Sequence, residues 1–171
     1  AELSFKQLRQ SVPLIPSLAE LIAAFGGNTH LMLEIKDEPR PDAPRQKEHL
    51  ASLLSSLTPV QDFHILALDP TLFELVDFLP PQSLLPVAEL NTDVMSRAAL
   101  TAEWSGLAGH YLLLTQRLMQ LHAGRQQLVG TGFPSSRNCL FRELNRGVEW
   151  VFSNDAVKLQ RIRDDYLARA A

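Results

Sequence analysis

The chain has 171 residues, of which 46% are hydrophobic and 20% charged, the size and composition of one ordinary globular domain. Its net charge of -3 argues against a protein that binds nucleic-acid phosphates. The sequence contains no apolar run as long as a membrane span and no signal-peptide layout at its start. Cys139 is the single cysteine, so a disulfide framework is excluded and a reducing, cytoplasmic location is expected.

Six short apolar segments predict strands, near residues 30–35, 63–68, 84–90, 107–113, 127–131 and 148–152. The first of them is so continuously apolar that a strand covered on both faces is expected. Capping residues and glycines predict helices between the strands. These helices are expected over 18–25 and 46–57, behind Asp69, over about 92–102, from Thr115 to Gly124, from Ser135 or Ser136 to Gly147, and after Asn154 or Asp155.

Strands that alternate with helices, without hairpin signals, predict a parallel sheet in a single α/β domain that spans residues 1–171. Two architectures are compatible with this pattern: a doubly wound open sheet or a (β/α) barrel. A complete barrel has eight strand–helix units and typically about 250 residues. Six units therefore make either a complete open sheet or a barrel that lacks two strands. Neither glycine-rich nucleotide-binding fingerprint is present.

In both architectures the functional residues gather at the C-terminal ends of the strands. Glu34 and Lys36 lie two apart on the first strand and so point to the same side. They either pair with each other or hold something between them, such as a metal ion and an anionic group. Glu89 and His110 are weaker candidates, because a solvated carboxylate and a packed histidine are the commoner states of such residues.

Other polar residues have ordinary explanations. Asp69 precedes a proline and is expected to cap a helix. Thr131 and Ser153 could donate hydrogen bonds to a phosphate, although such residues are common at turns in any case. The remaining histidines have no metal-like spacing, and packed or solvated roles are expected for them. They are His30, His49, His64 and His122.

Four segments in order resemble motifs of the glycerophosphodiester phosphodiesterase family. Residues 15–22, IPSLAELI, resemble the family's IPTLEEVL helix, and residues 33–36, LEIK, resemble its IEIK strand. Residues 68–72, LDPTL, match the segment after the next strand. Residues 147–154, GVEWVFSN, resemble GVDGIITD, the family's last strand. The even spacing of the four motifs extends the resemblance over nearly the whole chain.

The resemblance implies a TIM-type barrel that hydrolyses a glycerophosphodiester to an alcohol and glycerol 3-phosphate, in glycerol and lipid metabolism. Three carboxylates of the family hold a divalent cation, and Glu34 matches the third of them. Lys36 matches a lysine near the substrate phosphate, where positive charge opposes the negative charge that develops. Oxygen ligands would favour Mg²⁺ or Ca²⁺. The expected partner is a small-molecule phosphodiester.

The sequence also departs from the family. The family's two catalytic histidines and its other two metal ligands precede the IPTLEEVL region, and this chain begins just before that point. The same absent segment would hold the two missing strands. Three further motifs differ: the family's SF, WT and TD pairs fall on Ala67-Leu68, Gly132-Phe133 and Ser153-Asn154.

Two interpretations follow. The chain is either the C-terminal two-thirds of such an enzyme or a degenerate relative that binds a phosphorylated ligand or serves as a protein-interaction module. We predict in both cases that the 171 residues alone do not turn over substrate. Because an incomplete barrel leaves strands with unpaired edges, the edges of the first and last strands are expected to be covered by residues 1–14, by a missing N-terminal segment or by a partner chain.

Overall fold

The computed structural model of the chain describes residues 4–40 and 42–170. Strands and helices alternate through these residues. The strands are β1 (Leu31–Ile35), β2 (Phe63–Ala67), β3 (Leu84–Ala88), β4 (Gly106–His110), β5 (Leu128–Gly132) and β6 (Trp150–Phe152). The α-helices are α1 (Phe5–Ser11), α2 (Leu18–Phe25), α3 (Ala43–Leu54), α4 (Thr92–Thr101), α5 (Gln116–Ala123), α6 (Arg137–Asn145) and α7 (Ala156–Ala170). The six predicted strands are confirmed, whereas the helix behind Asp69 forms as a 3-10 helix, Pro70–Val76.

The six strands form one parallel sheet in the order β1-β2-β3-β4-β5-β6. This order follows the chain without reversal, as in a barrel, whereas a doubly wound sheet reverses its order part-way. The ring of Trp150 in β6 lies 4.7 Å from the ring of His64 in β2 and 6.5 Å from that of His30, which precedes β1. The sheet therefore curls until its last strand faces its first, and an incomplete TIM-type α/β barrel is confirmed.

Side chains alternate between the two faces of the sheet and build two apolar layers. One layer lies inside the curl, where Leu66, Leu85 and Ala108 are buried against Trp150 and Phe152. The other lies between the sheet and the helices. Its buried members include Phe63, Ile65, Val76 and Leu84 around the first strands, and Leu107, Leu114, Met119 and Val129 around the later ones.

The helix starts show why local sequence predicts this fold well. The Ser17 hydroxyl accepts the Glu20 N–H at 3.2 Å and the Glu20 carboxylate accepts the Ser17 N–H at 2.8 Å, which is the predicted capping box. Asp69 accepts the Thr71 N–H at 2.9 Å and caps the 3-10 helix, also as predicted. Helix α3 begins three residues earlier than expected, because Asp42 caps it and a proline fits the first helical turn.

The two edge strands are the most exposed part of the sheet. The prediction that β1 is covered on both faces is wrong, because none of its residues is buried. β1 is an edge strand that pairs with β2 alone among the described strands. None of the side chains of residues 4–14, which are expected to cover an edge, is buried, and residues 1–3 lie outside the described part. Within residues 4–40 and 42–170, no helix is long and apolar enough to cross a membrane.

Candidate functional site

A cavity of about 710 Å³ lies at the C-terminal ends of the strands, inside the curl of the sheet. Its volume is in the range of small-molecule sites. It occupies the face of a (β/α) barrel where functional residues gather. Its lining comes from all six strands or the residues that follow them, and includes Glu34, Lys36, Leu66, Leu68, Val87, Glu89, Leu90, Ala108, His110, Leu112, Gly132, Phe133 and Phe152.

Glu34 and Lys36 line this cavity together, as their spacing on β1 predicts. The Lys36 Nζ donates to the Glu34 Oε1 at 2.6 Å, so the two residues pair directly with each other. The Glu34 side chain is 34% exposed and the Lys36 side chain is 63% exposed, which makes this a solvated ion pair rather than a buried one. An exposed pair of this kind contributes at most about 1 kcal/mol to stability. Arg40, which no sequence motif indicates, donates to the Lys36 carbonyl and adds positive charge nearby.

The two weaker candidates, Glu89 and His110, also line the cavity. Glu89 is exposed, and its backbone N–H donates to the Asn91 Oδ1 at 3.0 Å. The His110 Nδ1 lies 3.2 Å from the Leu112 backbone nitrogen. Because a backbone N–H can only donate, Nδ1 must accept, and the proton of the neutral imidazole is then on Nε2. The His110 ring can therefore donate one hydrogen bond.

The described residues do not form a complete cation site. No three histidine, cysteine or acidic side chains of residues 4–40 and 42–170 lie close enough together to hold a metal ion. Glu34 and Glu89 line the same cavity, but Glu34 is already engaged with Lys36. Ca²⁺ takes six to eight oxygen ligands, and Mg²⁺ six in an octahedron. The carboxylates present here could supply only part of such a set.

The structure places the other polar candidates outside this cavity. Thr131 is fully buried on β5, between two glycines that both face the lumen side, so its hydroxyl points towards the helices. The Ser153 hydroxyl donates to the Pro134 carbonyl and accepts the Asp155 N–H, and it lines a separate cavity of about 410 Å³. Neither residue lines the cavity that holds Lys36.

Packed or solvated roles are predicted for four histidines; in the structure His64 and His122 are buried, whereas His30 and His49 are exposed. The His30 Nε2 and the His64 Nδ1 are 2.8 Å apart, and the His30 Nδ1 lies 2.9 Å from the Gln61 carbonyl oxygen. Burial, with the positive charge of nearby His30, lowers the pKa of His64 to about 4. His122 is buried between the Ser96 hydroxyl and the Gln127 amide, and burial lowers its pKa as well.

An apolar rim that the sequence pattern does not predict surrounds the cavity and is formed by Leu68, Leu90, Leu112 and Phe133. Each of these residues comes directly after a strand or one residue later, and all four are exposed. The sequence pattern assigns the three leucines to strands, which are predicted to end at 68, 90 and 113. The strands end instead at Ala67, Ala88 and His110, which leaves the leucines at the cavity mouth.

Phe133 shows that this exposure is imposed by the backbone. Its φ is +69°, in the left-handed region that bulky residues rarely adopt, and its N–H donates to the Phe152 carbonyl at 2.7 Å. Its ring lies 5.5 Å from the ring of His110 and is 62% exposed. The aromatic ring is thus held at the edge of the cavity instead of within the core.

No protein-family model and no curated protein sequence matches this chain. Solved structures do match it. A glycerophosphodiester phosphodiesterase from Parabacteroides distasonis is 12% identical with a TM-score of 0.67, over 90% of this chain and 63% of its own length. A proposed glycerophosphodiester phosphodiesterase from Galdieria sulphuraria is 18% identical with a TM-score of 0.73, over 94% of this chain and 70% of its own length.

A phosphodiesterase from Oleispira antarctica, solved in complex with the product sn-glycerol-3-phosphate, is 19% identical with a TM-score of 0.66, over 88% of this chain and 62% of its own length. The chain thus spans less than two-thirds of the length of two of these three structures. Identities this low support a common fold and not a common activity. The chain has the fold of the glycerophosphodiester phosphodiesterases, as the four sequence motifs predict, in the form of an incomplete barrel.

Proposed function

We propose that this chain contributes about two-thirds of a barrel that hydrolyses glycerophosphodiesters to glycerol 3-phosphate and an alcohol with the help of a divalent cation. One observation carries the proposal: Glu34 and Lys36 both line the cavity at the C-terminal ends of the strands. These are the two residues that the motif resemblance pairs with a cation and a phosphate. The neighbour from Oleispira antarctica binds sn-glycerol-3-phosphate, and a ligand of that chemistry suits this cavity.

Two of the chain's own residues, Lys36 and His110, support the proposed phosphate binding. The Lys36 ammonium is solvated, and Glu34 is its one side-chain partner among the described residues, so an anionic ligand can replace that partner at a cost of about 1 kcal/mol or less. The His110 Nε2–H offers a second donor from the opposite part of the curl. Hydrogen bonds to charged groups contribute about 1.5–3 kcal/mol each. A phosphate beside Lys36 therefore outweighs the exposed ion pair that it displaces.

Binding of sn-glycerol 3-phosphate tests this proposal directly. We expect isothermal titration calorimetry to show saturable binding that Lys36→Met weakens by roughly tenfold or more, because a charged hydrogen bond is lost. Lys6→Met is the matched control: it removes the same charge from an exposed position on α1, outside the cavity, and should leave the affinity unchanged. Equal affinities of the two variants would contradict the proposal.

Hydrolysis needs catalytic groups in addition to a phosphate-binding site. General acid–base catalysis requires at least one positioned proton donor or acceptor, and His110 is the one imidazole among the described residues that line the cavity. The Glu34 and Glu89 carboxylates do not complete a cation site. We therefore expect no hydrolysis of glycerophosphocholine by the chain alone, with either Mg²⁺ or Ca²⁺ present. Clear turnover by these 171 residues would contradict this expectation.

A second function is favoured by the substitutions at the cavity. Ala67, Gly132 and Asn154 replace polar or aromatic residues of the family motifs, and the engaged Glu34 is a poor cation ligand. A degenerate barrel of this kind would bind a phosphorylated ligand, or a protein, without cleaving anything. A longer natural form separates the two functions: hydrolysis that Glu34→Gln abolishes supports the enzyme, and binding without hydrolysis supports the degenerate barrel.

A further inference from the structure

A completely buried carboxylate lies on helix α6, outside the candidate site. The Glu143 side chain is 0% exposed and accepts hydrogen bonds from two arginines of the same helix. The Arg142 Nε donates to it at 2.7 Å, and the Arg146 Nη1 donates to it at 2.9 Å. Taking charged groups out of water is unfavourable, and well-packed apolar side chains in their place are often at least as stable. The buried carboxylate therefore calls for an explanation other than stability.

Both arginines also contact the segment that links β4 to α5. The Arg146 Nη2 donates to the Leu114 carbonyl at the end of that segment. The Arg142 guanidinium lies over the Tyr111 ring at its beginning, with Cζ 4.8 Å from the ring centre. A cation over the face of an aromatic ring is attracted by the electrons of that ring. Through its two arginines, Glu143 thus ties both ends of the segment to α6.

The beginning of this segment contacts the His110 ring, which lines the cavity. The rings of His110 and Tyr111 are stacked, with their centres 4.6 Å apart and their planes at 26°. The Phe133 ring lies 5.5 Å from the His110 ring, and the Leu112 N–H donates to the His110 Nδ1 at 3.2 Å. The ring is therefore held by two aromatic contacts and one hydrogen bond, while Nε2 has no hydrogen-bond partner among the described residues.

We infer that Tyr111 and Arg142 are positioning residues for His110. The buried Glu143 carboxylate fixes the Arg142 guanidinium, which fixes the Tyr111 ring, and that ring fixes the imidazole. The inference rests on the proposed function in one respect, the binding of a phosphate by His110. A side chain that is already held loses less rotamer freedom when a ligand binds, so the contacts strengthen binding without touching the ligand.

Nitrogen-15 NMR of the imidazole tests the inference without any ligand. At alkaline pH, where histidine is ordinarily neutral, correlations between ring protons and ring nitrogens show which nitrogen carries the proton. We expect His110 of the unmodified chain to have its proton on Nε2, because Nδ1 accepts the Leu112 N–H. In Tyr111→Leu the ring loses its stacked neighbour, and we expect a mixture of the two tautomers. A single tautomer in both proteins would overturn the inference.

Variants of Arg142 test the next contact in the chain. Arg142→Met should also give mixed tautomers, and the fold should tolerate it, because the side chain is 48% exposed and Glu143 keeps Arg146. Arg142→Lys keeps a cation that can lie over the ring and should restore the single tautomer. Arg137→Met is the matched control, since Arg137 lies over the Phe141 ring of the same helix at 5.6 Å. Equal spectra of Arg142→Met and Arg137→Met would overturn the inference.

Titration with sn-glycerol 3-phosphate shows whether the positioning serves the candidate site. We expect Tyr111→Leu to weaken binding roughly tenfold in the unmodified chain, but less than about twofold in a chain that already carries His110→Leu. The second loss is smaller because Tyr111 acts through His110. Equal losses in the two chains would overturn the inference. If the unmodified chain does not bind the ligand, the proposed function fails, and the tautomers of His110 alone decide the inference.

Discussion

The two ends of the barrel interior are built in opposite ways. At the N-terminal ends of the strands, His30, His64 and Trp150 pack against one another, and the two imidazoles are joined by a hydrogen bond. At the C-terminal ends, Glu34 and Lys36 are solvated and apolar side chains surround an open cavity. Polar groups at the first end serve the fold, whereas those at the second end remain available to a ligand. This is the division of labour expected of a (β/α) barrel.

The same difference separates the histidines. His64 is almost completely buried at the packed end, and its low pKa keeps it neutral at physiological pH. His110 is half-buried at the open end, and its Nε2–H is not used by another side chain among the described residues. The His64 ring, whose Nδ1 lies 2.8 Å from the His30 Nε2, is engaged inside the protein and serves the fold. His110 lines the open cavity, where an imidazole can serve binding or proton transfer.

The largest expected effect comes from Trp150, the side chain that spans the lumen from β6 to His30 and His64. We expect Trp150→Ala to lower the free energy of unfolding by about 3 kcal/mol, because the lost ring leaves a cavity between the first and last strands. Urea denaturation measures this change. Trp150→Phe keeps an aromatic ring there and should cost less than half as much. Equal losses for the two variants would mean that the ring does not tie the strands together.

Most of the fold could be predicted from the sequence because it depends on local signals. The capping box at Ser17 and Glu20, the cap at Asp69 and the Thr115 cap, which accepts the Leu118 N–H at 3.3 Å, all form as expected. The closure of the sheet into an incomplete barrel could not be predicted from such local signals. The contacts of Trp150 with His64 and His30, between residues far apart in the chain, show the curl.

The candidate site could be predicted only in part. The spacing of Glu34 and Lys36 indicates one face, and the structure places both in the cavity. The apolar rim escaped prediction because a leucine that follows an apolar strand reads as more of that strand. Whether Leu68 or Leu112 is the last strand residue or the first exposed residue depends on where strand pairing stops, and this is decided by neighbouring strands rather than by the local sequence.

The second expected effect is a loss of stability in acid. The pKa of His64 is about 4 in the folded chain against about 6.5 when unfolded, so the unfolded state binds the proton first. Stability is therefore full above about pH 6.5 and falls as the pH drops towards 4. We expect a loss of about 2 kcal/mol between pH 7 and pH 5, and buried His122 changes stability in the same direction.

Urea denaturation of the unmodified chain and of His64→Gln at both pH values tests this effect. The variant lacks the titrating group, so its difference in stability between pH 7 and pH 5 should be smaller by about 2 kcal/mol, whatever its stability at pH 7. His49→Gln is the control, because His49 is exposed on α3 and should leave the pH dependence unchanged. An unchanged dependence in His64→Gln would show that His64 is not the group responsible.

The smallest effect on stability is expected where the effect on binding is largest. Lys36→Met breaks the ion pair with Glu34 at the open end, but both side chains are solvated, so the free energy of unfolding should change by less than about 1 kcal/mol. Trp150→Phe should do the reverse: it should lower the free energy of unfolding and leave ligand binding at Lys36 unchanged. A loss of several kcal/mol in Lys36→Met would mean that the ion pair holds the edge strand β1 in place. Residues at both ends of the barrel would then contribute to stability, and weakened phosphate binding in this variant could no longer be assigned to the lost charge alone.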